Sequence, residues 1–397
     1  MFIGRYFYYI IMILFLFIIL VLLYFCIPKK ESRRATRLFV YSATVIMSFL
    51  SGFRSIAVGN DTDAYLSRFH ESHLISWKDV FAQFWLQYFS PDVTTGKDPG
   101  YSVFVKFISS FTDNEQLFLL IIALVLLIPF ATFILRHSAR IEDALFGYIF
   151  YAVSYFSYLP NSAARQSIAL ALIIIAYLFL EDNRSILFLF FILIASTFHQ
   201  SAIGALIMYP LFKIRNVRTV FYLSLAAFVV MLFYYNQVGA VLASSNDIYN
   251  DYEAGGYYSR GNARPFMVFF VFLIIYAVGF IPLIKKATIK GKDKLLFVGT
   301  GVSLAIIPLI WYDPSCIRLN SYFGVYVCPF IPYCLRYCEI SGKRVLTVML
   351  YAMLLLKTIR TPMEYKFYWQ TVSISIQHQN SSQLESKGSL LNTYHIS

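Results

Sequence analysis

A chain of 397 residues that is 59% hydrophobic and only 14% charged is not an ordinary soluble domain, since such domains carry about 25% charged residues. Its repeated apolar runs suit membrane-crossing helices, which take about 20 residues each, and the alternation of a β-barrel is missing. The formal charge of +12 invites a nucleic-acid partner, but the basic residues fall in short clusters between apolar runs, as in a positive-inside membrane protein, and no nucleic acid is expected.

The fold class expected is an all-α polytopic membrane protein with about 12 transmembrane helices (roughly 11 to 13). Residues 1–369 form a single bundle with large external loops at 51–115 and 236–264, and residues 370–397 form a polar tail, rich in Ser, Gln and Asn, read as disordered.

In chain order, the apolar stretch 6–27 is too long for a signal-peptide core, and Lys29 and Lys30 follow instead of a small-residue cleavage site, so it reads as a retained helix. Lys29, Lys30, Arg33, Arg34 and Arg37 place the next loop in the cytoplasm. A helix over 38–50 then leads outward to the first external loop, the longest polar interruption in the chain. Further helices are expected over 116–135, 144–159 and 167–180.

Residues 185–210 read either as one helix or as two short arms meeting near His199. The hairpin puts Lys213, Arg215, Arg218, Lys285, Lys286, Lys290, Lys292 and Lys294 on the cytoplasmic side; the single helix puts them outside. The basic residues favour the hairpin, although arms of roughly 12 to 14 residues are too short to cross unless the bilayer thins or the bundle buries them. Helices over 219–235, 265–284, 295–312, 319–335 and 345–358 complete the bundle. More than half of the 33 lysines and arginines then lie in cytoplasmic loops.

The remaining basic residues need another explanation. Arg54, Arg68, Arg165, Arg260, Arg264 and Arg318 all fall on the external side, and Arg165 and Arg318 sit in short turns where the charge rule should exclude them. Guanidinium groups on one polar face suit a phosphate or pyrophosphate clamp. Asp61, with Asp63 behind Gly59, reads as a general base or as the N-cap of a helix over 64–70. His199 reads as a hydrogen-bonded structural residue or, as an ionisable group at membrane depth, as a catalyst. Tyr249, Tyr252, Tyr257 and Tyr258 lie with Gly255 and Gly256 in a loop that reads as a sugar-stacking lid or as an interfacial tyrosine belt. There is no Walker loop, zinc-type histidine pair or dinucleotide fingerprint, and Cys26, Cys316, Cys328, Cys334 and Cys338 have no zinc-ligand spacing. No cofactor is expected. No metal is required, although Asp61 and Asp63 could hold one.

An ordered set of motifs runs along the chain. Arg54 is followed by Gly59-Asn60-Asp61 and by Tyr65 and Phe69; then come Asp98-Pro99-Gly100-Tyr101, Arg165-Gln166, Phe198-His199-Gln200-Ser201-Ala202, and Arg318 with Ser321-Tyr322-Phe323. In this set the chain resembles the EpsG-type members of the Wzy-like O-antigen, capsular and exopolysaccharide polymerases. Asp98 stands where that family usually has Glu, one methylene shorter. The resemblance implies a glycosyltransferase of the bacterial inner membrane, with its site facing the periplasm or outside. Its substrate would be undecaprenyl-pyrophosphate-linked oligosaccharide in the lipid bilayer, and its pathway partners a flippase and a chain-length regulator. The reading of the residues fits this, with Asp61 and His199 expected as catalytic residues and the matched Arg54, Tyr65, Asp98, Arg165, Arg318 and Tyr322, together with Arg260 and Arg264 of the second external loop, as substrate-binding residues. The alternatives are a transporter or flippase of lipid-linked oligosaccharide, for which no internal repeat is visible, and a membrane O-acyltransferase.

Overall fold

The computed structural model describes residues 2–28, 32–59, 61–89, 98–244, 266–285, 288–313, 316–360 and 365–370. Regular structure among them is helical, apart from an antiparallel bridge between Arg54 and Phe367. The helices are α1 (Phe2–Cys26), α2 (Arg33–Gly52), α3 (Thr62–Leu74), α4 (Trp77–Phe89), α5 (Pro99–Ser109), α6 (Glu115–His137), α7 (Ile141–Ser154), α8 (Ala164–Glu181), α9 (Ser185–Phe198), α10 (Met208–Lys213), α11 (Val217–Ser244), α12 (Phe266–Ile284), α13 (Lys292–Ile306), α14 (Ile317–Gly324), α15 (Val327–Leu335) and α16 (Ile340–Arg360). Five described segments, in α2, α6, α8, α11 and α13 with its 3-10 extension to Trp311, are long and apolar enough to cross a membrane. Shorter apolar helices lie at Met12–Cys26, Ser185–Phe198 and Phe270–Ile284. This is a polytopic helical membrane protein.

Local chemistry sets several boundaries. Ser32 and Asn114 begin α2 and α6 by accepting the amide hydrogens of Ala35 and Leu117 at 3.1 and 2.9 Å. The expected loop 51–115 is largely helical, carrying α3, α4 and α5. The helix expected over 319–335 is two, α14 and α15. Tyr326 and Cys328 bond three residues back instead of four, and Pro329 has no N–H to contribute. The helix expected to stop at 235 continues to Ser244. Asn236 and Gln237 look like a stop, but the apolar turn after them continues, and Gly239 lies so close to the Tyr312 ring that a Cβ would strike it. Residues 245–265 and 371–397, most of the second expected loop and the tail, lie outside the described residues.

Residues 185–213 form the hairpin. The chain breaks at His199, which is extended (φ −155°, ψ 113°), and continues as a 3-10 helix over Gln200–Ile207 before α10. Both arms return to the same end of the bundle. Asp182, just before α9, pairs with Arg136, and the Phe212 carbonyl near the end of α10 accepts from Lys294 Nζ at 2.5 Å.

That end is built from basic side chains on helix C-termini. The last carbonyls of a helix have no partner within it and carry its negative dipole end. At the end of α6, Arg33 donates to the carbonyls of Ser138 (2.6 Å) and Leu135, Lys292 to that of Arg136 (2.8 Å), and Arg336 to that of His137 (3.1 Å). Arg218 does the same for Leu283 in α12 (3.2 Å). Beneath this layer the fully buried Glu181 holds His137 Nε2 at 2.8 Å and lies 2.7 Å from Arg136 Nε. Where water is scarce such groups must satisfy one another. The clusters that looked like topology signals in the sequence are therefore also the caps of the bundle.

Replacing Glu181 by Ala removes an acceptor for two cationic or hydrogen-bonding groups and should cost about 2 kcal/mol. Thermal unfolding in detergent should show a lower midpoint for Glu181→Ala, with Glu181→Gln recovering part of it. An unchanged midpoint would mean that this network does not hold the end together.

Candidate functional site

The opposite end carries a cap of α3, α4 and α5, docked on the turn between α7 and α8. Gly59 makes the docking possible. It has φ +91°, and a Cβ there would run into the Asn161 carbonyl. Thr62 then bonds back through its hydroxyl to the carbonyls of Val58 (2.6 Å) and Asn161 (3.0 Å). This leaves Asp61 at the N-cap position of α3, but its side chain makes no capping hydrogen bond. Position and role separate here: α3 starts where a capped helix would start, yet the half-buried Asp61 carboxylate is not used to start it.

Asp98 joins the cap to the bundle. It adopts the left-handed conformation (φ 63°, ψ 57°), which Asp tolerates better than most residues. It precedes Pro99 at the start of α5, where a missing N–H costs nothing. Its carboxylate, 4% exposed, accepts from Arg165 Nη1 at 2.6 Å on Oδ2 and from the Gln200 amide at 3.3 Å on Oδ1. Gly100 lies so close to Thr197 that a Cβ would strike its hydroxyl oxygen. One carboxylate therefore ties α5, the start of α8 and the tip of the hairpin.

His199 stands at that tip. Its Nδ1 lies 2.7 Å from Ser201 Oγ and 3.1 Å from the Tyr322 hydroxyl, and these two hydroxyls are 3.2 Å apart. Tyr322 is fully buried in α14; His199 is half-buried. Gln166, beside Arg165, donates to the Arg318 carbonyl (2.6 Å) and to Ser321 Oγ (2.9 Å), binding α8 to α14. The Arg318 side chain itself is exposed.

Tyr65 sits between these groups. The Arg165 guanidinium lies against its hydroxyl, and Asp61 and Arg318 are within electrostatic reach. Burial raises the Tyr65 phenol above its ordinary value, and that of Tyr101 well above it, so both are neutral at physiological pH. Arg54 is different. It is completely buried beneath residues 365–370, with Nη1 donating to Ser51 O at 2.5 Å and with Nε and Nη2 having no hydrogen-bond partner among the described residues. The overlying segment is fastened by Ser55 N to Lys366 O (2.8 Å) and Tyr368 N to Phe53 O (3.1 Å). Burial pulls the Arg54 guanidinium down to about 10, which still leaves it charged at neutral pH.

Of the residues expected in the site, Asp61, Tyr65, Asp98, Arg165, His199, Arg318 and Tyr322 come together at this end. Arg54 lies within electrostatic reach of Tyr65 and Tyr101 but closed off from solvent, and Arg260 and Arg264 lie outside the described residues. Sequence reasoning does not single out Gln166, Ser201 and Ser321 as site residues, although each stands inside a motif of the ordered set: Arg165-Gln166, His199-Gln200-Ser201 and Ser321-Tyr322. They are short polar residues next to charged or aromatic ones, and only the folded geometry shows that they carry the hydrogen bonds between segments.

The bundle, with basic caps at one end and a carboxylate, arginine and histidine cluster at the other, is that of a polytopic membrane protein with a polar site at one end. A family model matches residues 37–367, and the chain belongs to the EpsG family. That family is associated with polysaccharide polymerisation, and the protein is a membrane component of polysaccharide biosynthesis. No curated protein and no solved structure matches the chain.

Removing one partner of a buried ion pair strands the other, at a cost of about 3 kcal/mol. Arg165→Ala should therefore lower the thermal midpoint in detergent, and Asp98→Asn in the same chain should restore part of the loss. Asn is the right replacement because it also tolerates the left-handed backbone at this position. Simple addition of the two single losses would show that the pair is not coupled.

Proposed function

We propose that the protein polymerises a surface polysaccharide by glycosyl transfer between undecaprenyl-pyrophosphate-linked oligosaccharides. The site would face the outside of the inner membrane. The observation that carries this reading is the meeting of Asp61, Arg165, His199 and Arg318, from four distant segments, at the end of the bundle opposite the basic caps. The positive-inside rule makes the basic end cytoplasmic and this end external.

In the reaction, a sugar hydroxyl of the acceptor unit attacks the anomeric carbon of the donor chain. The new C–O bond forms as the bond to the pyrophosphate oxygen breaks, and the lipid pyrophosphate leaves with the bonding electron pair. Arg318, exposed, and Arg165, partly open, carry the positive charge that the leaving pyrophosphate needs. The acceptor proton goes to Asp61 or His199. With its Nδ1–H donated to Ser201 Oγ, His199 would hold its lone pair on Nε2, as a general base requires. Asp98 and Tyr322 are buried supports: the first orients Arg165, the second steadies the His199 ring. Holding two lipid-linked chains at one site supplies the proximity that a reaction between two membrane-bound substrates needs.

Asp61→Asn, Arg165→Ala, His199→Ala and Arg318→Ala, each expressed in the native host, should leave the protein inserted while abolishing long-chain polymer. Surface material should then be absent or limited to single repeat units. Wild-type chain lengths from all four variants would rule the proposal out.

A further inference from the structure

Helix α4 is unlike its neighbours. Its sequence, Trp77 to Phe89, contains six aromatic residues in 13, and its only charged residues, Lys78 and Asp79, lie in the first turn. One side, with Val80 buried and Phe84 half-buried, packs on α5. The rest is open: Trp85 is 55% and Phe89 73% exposed, with Trp77, Phe81, Leu86 and Tyr88 also exposed. At 1.5 Å per residue the helix is about 20 Å long, too short for a hydrocarbon core of about 30 Å. Nor does it appear among the segments apolar and long enough to cross.

We propose that α4 is an interfacial helix that seats the cap on the outer surface of the bilayer, its aromatic side sunk at the boundary between headgroups and acyl chains. Three observations favour lipid over other occupants. First, the rings are stacked on one another along the helix: Trp77 on Phe81 (5.7 Å, 27°), Trp85 on Phe89 (5.8 Å, 14°) and Phe84 on Tyr88 (6.0 Å, 4°). Sugar recognition needs open aromatic faces, whereas here each of these rings turns a face toward a neighbour on the same helix. Second, Trp and Tyr among Phe and Leu is the composition of an aromatic belt, where an apolar body and a polar tip suit the two sides of the boundary. Third, the exposed apolar surface continues along the chain toward the lipid-facing part of the bundle. Phe107 and Phe111, in and just after α5, are exposed, and after them come Leu117 and Ile128 on α6, a membrane-crossing segment.

The seat matters for the site because α4 packs on α5, and α5 begins beside Asp98. Fixing α4 at the headgroup level holds the Asp98–Arg165 pair near the depth at which a lipid-linked phosphate lies. The anchoring itself does not depend on the reaction proposed above, and its test does not read glycosyl transfer.

The test uses the full chain in phosphatidylcholine and phosphatidylglycerol vesicles containing lipid brominated high on the acyl chain. The fluorescence that the wild type has and the Trp77→Phe/Trp85→Phe variant lacks reports on α4, and both substitutions fall at exposed positions. That difference signal should be quenched by the brominated lipid and shielded from aqueous iodide. Quenching by iodide without quenching by bromine would overturn the proposal. So would shielding from both, since it would place protein, such as a second copy of the chain, on α4. Leu86→Cys carrying a polarity-sensitive fluorophore, in a chain whose five native cysteines are replaced by alanine, gives an independent reading with all tryptophans in place. Blue-shifted emission is expected, and water-like emission would contradict the anchoring.

Discussion

The carboxylate of Asp98 is the constraint on which the arrangement of the site depends. It is almost fully buried, it stands in the left-handed conformation at the start of α5, and its two oxygens are taken by Arg165 and by the backbone of Gln200. A buried carboxylate without such partners would be expensive, so the start of α8 and the tip of the hairpin cannot drift from α5 without exposing or stranding a charge. Around this joint the other functional groups take positions set by the backbone. Gln166 follows Arg165 and binds α14, His199 precedes Gln200 and meets Tyr322, and Tyr65 fills the space beside Arg165.

The two ends of the bundle use the same kinds of side chain for different work. At the Glu181 end, arginine and lysine donate to helix-terminal carbonyls and close off backbone acceptors. At the Asp98 end, the arginines are divided by exposure. Arg54 is sealed under residues 365–370, Arg165 is partly open while anchored to a carboxylate, and Arg318 is open, with its carbonyl accepting from Gln166. Among these three, the graded exposure leaves Arg165 and Arg318 accessible from solvent and Arg54 closed off.

Much of this could be read from residues. Long apolar runs marked α2, α6, α8 and α13, because a membrane-crossing helix has to be continuous. The basic clusters argued for the hairpin, and the contacts of Asp182 and Phe212 agree with it. The helices of the cap were harder to see because they are short and mixed in polarity, so no single period dominates. The break between α14 and α15 was hidden for another reason: an apolar run containing Pro329 and Pro332 remains apolar whether or not it is one helix. In the site, Arg165, His199 and Arg318 stood out as charges in the wrong place. The hydroxyl and amide groups that position them, on Ser201, Ser321 and Gln166, did not, since such residues are common and gain their role from where the fold puts them.

The central claim is that the His199 tip and the end of the hairpin lie on opposite faces of the membrane. It is tested most directly by cysteine accessibility in intact cells, with Gln200→Cys and Arg215→Cys placed singly in a chain whose five native cysteines are replaced by alanine. Both positions are exposed. A membrane-impermeant maleimide should label the cysteine at position 200 from outside, and that at 215 only after permeabilisation. Labelling of both from the same side, or in the reverse order, would contradict the account.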